Sequence, residues 1–418
     1  MVIARGVSGE AMRLARGLRT ALVAGFLLAG CAGVEPPAST TPSVASASPL
    51  ATVAPTASPI PSASASTAPA FMAAQVIDSP PSAFGANVAV ADFNHDHHPD
   101  LAVCGEAKPE IALFTGNGDG TFKPPTPIQV GHACTFIAAA DLNGDGVPDL
   151  AASNQDGSAS VVFGLPRGGF GKPTTYATRG HLGEAQAWGL AAVDLNGDGA
   201  PDLAVTVFEW HGDFEAPGQI AILLNKGSGR FADPVFYADR AAVAVTAGDF
   251  DGDGRFDVAT ADGDASVRVF RGDGAGGLGQ AEEYPIGGHG VAIVTADLDG
   301  DGDLDLVTGD DAASMVGVML GRADGTFATA TDYPAGNTHT VATGDLDGDG
   351  HLDLAAGGYD EGFVRVLRGA GDGTFAAVSP IASGALALSV AVADLNGDGK
   401  ADVAVQAGAG SMSIFLGA

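Results

Sequence analysis

Seven copies of the pattern Asp-x-(Asn/Asp)-x-Asp-x-x-x-Asp run along this chain. They begin at Asp92, Asp141, Asp194, Asp249, Asp297, Asp345 and Asp394, with spacings of 49, 53, 55, 48, 48 and 49 residues. A chain repeating at such a period folds as an array of like units, each burying its faces against its neighbours. Every copy sits between two short small-apolar runs, as in Val88-Ala89-Val90-Ala91 and Leu101-Ala102-Val103. A third run follows, such as Ile111-Ala112-Leu113-Phe114, then a Gly-rich turn ending in an aromatic at Phe122, Phe231, Phe327 and Phe375. A fourth, less regular run closes the unit. Short Val- and Ala-rich runs bounded by Gly, Asp and Pro read as strands. The expected fold is all-β: a seven-bladed β-propeller of four-stranded antiparallel blades.

Composition agrees. The 418 residues include 62 Gly but only 6% aromatics, and carry 19 Lys+Arg against 50 Asp+Glu for a net charge of −31. Nucleic acid is excluded as a partner, because phosphate binding needs a basic stripe. Half of the acidic residues fall inside the seven nine-residue segments. Such clustering points to a cation rather than to a solvated acidic surface.

Oxygen ligands at alternate positions, with Gly between them for tight turns, suit a hard cation that takes six to eight oxygens. Side chains at positions 1, 3, 5 and 9 can converge on one ion. These are Asp92, Asn94, Asp96 and Asp100 in the first copy, and Asp141, Asn143, Asp145 and Asp149 in the second. The third has Asp194, Asn196, Asp198 and Asp202, and the fourth Asp249, Asp251, Asp253 and Asp257. The fifth has Asp297, Asp299, Asp301 and Asp305, the sixth Asp345, Asp347, Asp349 and Asp353, and the seventh Asp394, Asn396, Asp398 and Asp402. An EF-hand loop would close with Glu at position 12, where the first two copies have Val103 and Ala152. The all-Asp fourth, fifth and sixth loops are expected to bind best. The first has His95 and His97 where the others have Gly, which puts its turn in question.

The Asp segments, the strand pattern and the Gly-turn-Phe resemble FG-GAP/VCBS repeats, the unit of the integrin α-subunit propeller. The likeness covers residues 71–418. It implies calcium in each loop between first and second strands, up to seven ions, and ligand binding on the opposite face. It is specific for fold and not for function.

The seventh unit stops after its third strand, at Ser411-Met412-Ser413-Ile414-Phe415-Leu416. The segment Phe71-Met72-Ala73-Ala74-Gln75-Val76-Ile77 is expected to supply its missing outer strand and so close the ring without an open edge. Upstream, Arg5, Arg13, Arg16 and Arg19 precede the apolar stretch 21–30 and Leu28-Ala29-Gly30-Cys31. This looks like a bacterial lipobox, with residues 1–30 as signal peptide and Cys31 as the acylated residue. Residues 31–70, rich in Ala, Ser, Pro and Thr, read as an extended disordered tether. The expected location is therefore exported and lipid-anchored, at the outer membrane or cell surface.

Cys104 and Cys134 fall on one face of neighbouring units, and export suggests a disulfide between them. Both Trp residues belong to the third unit. Trp188 is assigned to its entry loop, 178–189, and Trp210 to its longest insertion, beside Glu209, His211 and Asp213. These five are the candidate ligand-binding residues. His132, His181, His289 and His339 precede first strands at unequal offsets, which argues against one convergent metal site. Arg271-Gly272-Asp273 spells an integrin-recognition tripeptide but occupies the repeat's own turn. No nucleophilic elbow, zinc-protease motif or phosphate loop is present. The expected role is a non-catalytic, calcium-binding interaction or adhesion module with a surface protein as partner. The alternatives are a glycan-binding lectin or an accessory propeller of a surface enzyme.

Overall fold

A computed structural model of the chain describes residues 71–418, except 73, 80–86, 106–107, 210–216, 360–361, 378–379, 385 and 409. The signal and tether segments, Cys31, Trp210, His211 and Asp213 lie outside the described residues.

Among the described residues there is no helix. Seven antiparallel sheets follow one another, the first five pairing their strands strictly in chain order. Blade 2 is representative: Cys134–Ala140, Asp149–Asn154, Ser158–Val162 and Thr174–Ala177. Second and third strands are almost wholly buried, whereas the fourth is mostly exposed. That gradient explains the sequence pattern. Continuous Val/Ala/Leu runs mark strands covered on both faces, and mixed runs mark the outer edge.

First strands of consecutive blades lie side by side from blade 1 to blade 7, and that of blade 7 lies against that of blade 1. The ring is closed in a second way. Gln75–Asp78 pairs antiparallel with Ser411–Phe415 as the outer strand of blade 7. Phe71 bridges Gly417, and the Met72 amide donates to the Leu416 carbonyl at 2.9 Å. The N-terminal strand therefore completes the last blade as its sequence position implies. Blade 6 departs from the simple plan. Its third strand, Phe363–Gly369, pairs with two short pieces, Phe375–Ala377 and Ile381–Ala382.

Apolar clusters fill the spaces between blades. Val88, Leu101 and Phe114 of blade 1 pack with Leu395, Ala404 and Ile414 of blade 7 across the closure. Burying each of the larger side chains, such as Leu101, Phe114 and Ile414, contributes about 1.5–3 kcal/mol. The aromatic ending each Gly-rich turn reaches the preceding blade. Phe231, Phe327 and Phe375 pack edge-on against Tyr176, Tyr284 and Tyr333, with centroids 5.4, 5.5 and 5.6 Å apart.

Candidate metal centres

Each Asp segment forms the turn between first and second strands, and all seven share one internal hydrogen-bond plan. In blade 2, Asp141 at position 1 accepts from the amides of Gly144 (2.8 Å), Asp145 (3.1 Å) and Gly146 (2.7 Å). Asn143 accepts from Asp145 at 2.9 Å, and Asp145 from Val147 at 2.9 Å. Side-chain oxygens thus organise the backbone that carries them. The turn needs left-handed backbone at positions 4 and 6, which Gly144 and Gly146 adopt at φ 77° and 83°. In blade 1, His95 and His97 adopt the same region at φ 62° and 67°. The Asp92 carboxylate still accepts from Asp96 and His97, so His at these positions strains the turn without changing it.

Position 9 does something the sequence pattern alone does not reveal. The Asp149 carboxylate is fully buried and accepts two amides, Leu142 at 2.9 Å and Gly164 at 2.8 Å. Gly164 follows the third strand, so one side chain clasps the turn to the far side of the blade. The same pair of bonds recurs at Asp100, Asp202, Asp257, Asp305, Asp353 and Asp402. The third-strand partner is Gly in six blades. In those six blades a Cβ there would come within 2.1–2.8 Å of the position-8 carbonyl, too close for a side chain. Blade 3 uses Asn225 instead, whose side-chain amide donates to the Leu142 and Pro201 carbonyls. A Gly at a near-constant offset after position 9 is the signal that could have shown this clasp. Burial pushes the clasp carboxyls up, to about 6 at Asp149, Asp202, Asp305 and Asp353, against the lowering effect of their amide donors.

Among the described residues, three loops bring carboxylate oxygens within 4.8 Å of one another: Asp249, Asp251 and Asp253; Asp297, Asp299 and Asp305; and Asp345, Asp347 and Asp353. These are the three loops with Asp at position 3. No loop gathers the carboxylates of positions 1, 3, 5 and 9 into one such group. Position 9 joins the group in blades 5 and 6, position 5 in blade 4. An all-oxygen donor set crowding several negative charges fits a hard divalent cation such as calcium.

Of the other candidate residues, some fall as expected and some do not. Trp188 is not in a loop. It lies in the first strand of blade 3, Ala185–Val193, where the register shifts between Ala187 and Leu190. Its half-buried ring packs on Phe208, centroids 5.6 Å apart, and against a cluster with Ala241 and Val243. A bulge turned it toward a covered surface, and single-residue bulges leave no clear trace in an alternating pattern. Glu209 accepts from the Gly183 amide, tying two connections of blade 3 together. His289 and His339 share one carboxylate, with Asp311 oxygens 3.3 and 3.6 Å from their ring nitrogens. His132 instead pairs with Asp156 at 2.9 Å. Cys104 and Cys134, both fully buried, are joined in a disulfide with Cα atoms 5.8 Å apart. In the Arg-Gly-Asp tripeptide, Arg271 binds Asp257 at 2.8 Å while Asp273 accepts from Ala275 and Gly277 amides. That tripeptide is part of the blade's own turn.

Comparison with known proteins supports the architecture. Two crystal structures of BBS1N in complex with ARL6DN are similar, one soaked with lead and one with mercury. Their TM-scores are 0.60 and 0.57, each at 14% identity, over 83% and 84% of this chain and 97% and 98% of theirs. At that identity the likeness shows the fold alone. Comparison with curated proteins gives no match. The FG-GAP-like repeat family matches residues 92–152, 141–205, 212–260, 249–308, 297–356 and 345–405. Six matches covering most of the propeller, each containing at least one whole Asp turn, place the chain in the FG-GAP-like repeat family.

Proposed function

We propose that the chain is a non-catalytic, calcium-loaded interaction module, held at the cell surface by a lipid on Cys31, and that its partner is a protein. The observation that carries this is where repetition breaks down. The end bearing the Asp turns is nearly the same in every blade. The opposite end carries unrepeated polar groups: His132 with Asp156 in blade 2, Glu209 in blade 3, Arg240 with Asp264 at blades 3 and 4, and His289, Asp311 and His339 at blades 5 and 6. A surface spread over five blades suits the breadth of a protein partner, for which about 800 Å² per side is usual. A single sugar would not fill it. The similar BBS1N structures hold that propeller in complex with ARL6DN, which is consistent with this use of the fold. Stacking of a sugar on Trp188 is disfavoured, because Phe208 occupies its ring.

The test is surface cross-linking on intact cells together with a glycan array, each in calcium and in chelator. A cross-linked protein that depends on calcium, with a blank array, is expected. Saturable binding to a defined sugar without a protein partner would overturn the reading. Cys31→Ser should release the chain from membranes; retention would remove the lipid from the proposal.

A further inference from the structure

The three all-Asp turns are not equally free to take a cation. In blade 6, Arg368 projects from the third strand, Phe363–Gly369, into the turn. Its Nε donates to Asp347 Oδ2 and its Nη2 to Asp349 Oδ2, so one guanidinium spans positions 3 and 5. Arg368 immediately precedes the clasp glycine, Gly369. The equivalent position holds Thr115, Phe163, Leu224, Leu320 and Leu416 in five other blades, and Arg271 in blade 4. There, Arg271 Nη1 donates to Asp257 Oδ2 at 2.8 Å, and Arg255 lies 2.6 Å from Asp253. Blade 5 is different. It has five carboxylates, Asp297, Asp299, Asp301, Asp303 and Asp305, and none meets a Lys or Arg among the described residues.

We propose that Arg368 is a built-in counter-cation of the blade 6 turn that competes with calcium for Asp347 and Asp349, leaving blade 5 as the tightest calcium site. The inference rests on reading the Asp turns as calcium sites. An ion entering the blade 6 turn must first break two charge-assisted hydrogen bonds, and it meets a fixed positive charge if the guanidinium stays nearby. Entry at blade 5 breaks no side-chain ion pair among the described residues, because its carboxylates accept from backbone amides. The guanidinium also screens carboxylates that would otherwise repel, so blade 6 holds its shape without an ion while blade 5 depends on one. Arg271 and Arg255 give blade 4 the same character through positions 9 and 5. Four Asp residues in the right pattern are therefore not sufficient to rank these sites. The side chain one residue before the clasp glycine decides which turn is metal-dependent.

The experiment is calorimetric titration of calcium chloride into the full chain after chelator stripping, with melting curves in both conditions. Arg368→Leu copies Leu320 of blade 5 and should tighten one site at least tenfold. It should also lower the melting temperature in chelator and enlarge the rise on adding calcium. Arg368→Gln serves the same purpose if the Leu variant folds poorly. Adding Asp347→Asn to Arg368→Leu should abolish the gain and so assign the site. Lys226→Leu, an exposed residue on another turn, controls for net charge. If wild type binds calcium and the Arg368 variants give its isotherm, or Lys226→Leu gives the same gain, the counter-cation role is wrong. If neither wild type nor any variant binds calcium, the calcium reading falls and this proposal with it.

Discussion

The Asp149 carboxylate and the Gly164 amide meet at 2.8 Å, across two strands of blade 2. The same contact in the other six blades makes the Asp turn and the end of the third strand one unit. The turn cannot open without breaking a buried, charge-assisted bond. Asp149→Ala removes that bond and the one to Leu142. Hydrogen bonds to charged groups contribute about 1.5–3 kcal/mol each, offset here by the cost of burying the carboxylate. A loss of about 3 kcal/mol in unfolding free energy is expected, with Asp149→Asn in between. Denaturant unfolding in chelator measures it; an unchanged midpoint would mean the clasp carries no net stability.

Removing residues 71–78 should expose the Ser411–Phe415 strand as an unpaired edge. Phe71, which packs against the blade 6–7 cluster, would be lost as well. Exposed edges recruit other edges. The expected result in size-exclusion chromatography is oligomer or aggregate, with a lower melting temperature for any monomer. A monomer that melts as the full chain does would show that blade 7 closes without its outer strand.

The disulfide between Cys104 and Cys134 closes a loop of sequence separation 30 and joins blade 1 to blade 2. Loop-closure entropy for that length corresponds to about 3–4 kcal/mol. Paired Cys104→Ala and Cys134→Ala substitutions should reduce stability by up to that amount. Thiol titration of the unfolded, unreduced propeller should find neither cysteine free.

His339 gives a pH signature. Burial pushes its imidazole down to about 3 from 6.5, although Asp311 lies 3.6 Å away and Tyr359 packs against the ring. Between those two values the unfolded chain binds a proton that the folded chain does not. Stability from this group is therefore full above about 6.5 and is lost as pH falls toward 3. Raised carboxyls such as Asp149 tilt the curve the opposite way between about 6 and 3.8. The quantity to measure is the difference in unfolding free energy between wild type and His339→Gln at pH 7 and pH 4.5. The wild type should lose more on acidification; equal losses would mean the folded imidazole protonates normally.

Architecture was legible in the sequence because it is written seven times. Asp-turn spacing, small-apolar runs and the truncated last unit were enough to give blade number, strand number and closure by residues near Phe71. Repetition averages out local ambiguity, since a strand misread in one copy is corrected by six others. Position 2 of every copy, from Phe93 to Leu395, is buried at its equivalent place in each blade. The sequence determined these features through periodicity, a property of the chain alone.

Features that depend on a partner from elsewhere in the fold were decided by the tertiary structure. Trp188 lies at a bulge, and which way a bulged side chain faces depends on the neighbouring blade rather than on its own pattern. Asp149 reads as a cation ligand by spacing, yet both its oxygens are held by amides, one of them fifteen residues away. His289 and His339 stand at unequal offsets in the sequence and still meet on Asp311, because consecutive blades bring their connections to one end of the ring. Arg368 enters its turn only because antiparallel pairing returns the third strand beside the first turn. In each case the deciding partner lies on another strand or another blade. Periodicity along the chain fixes which residues share a face, whereas packing between strands and blades fixes which charges meet.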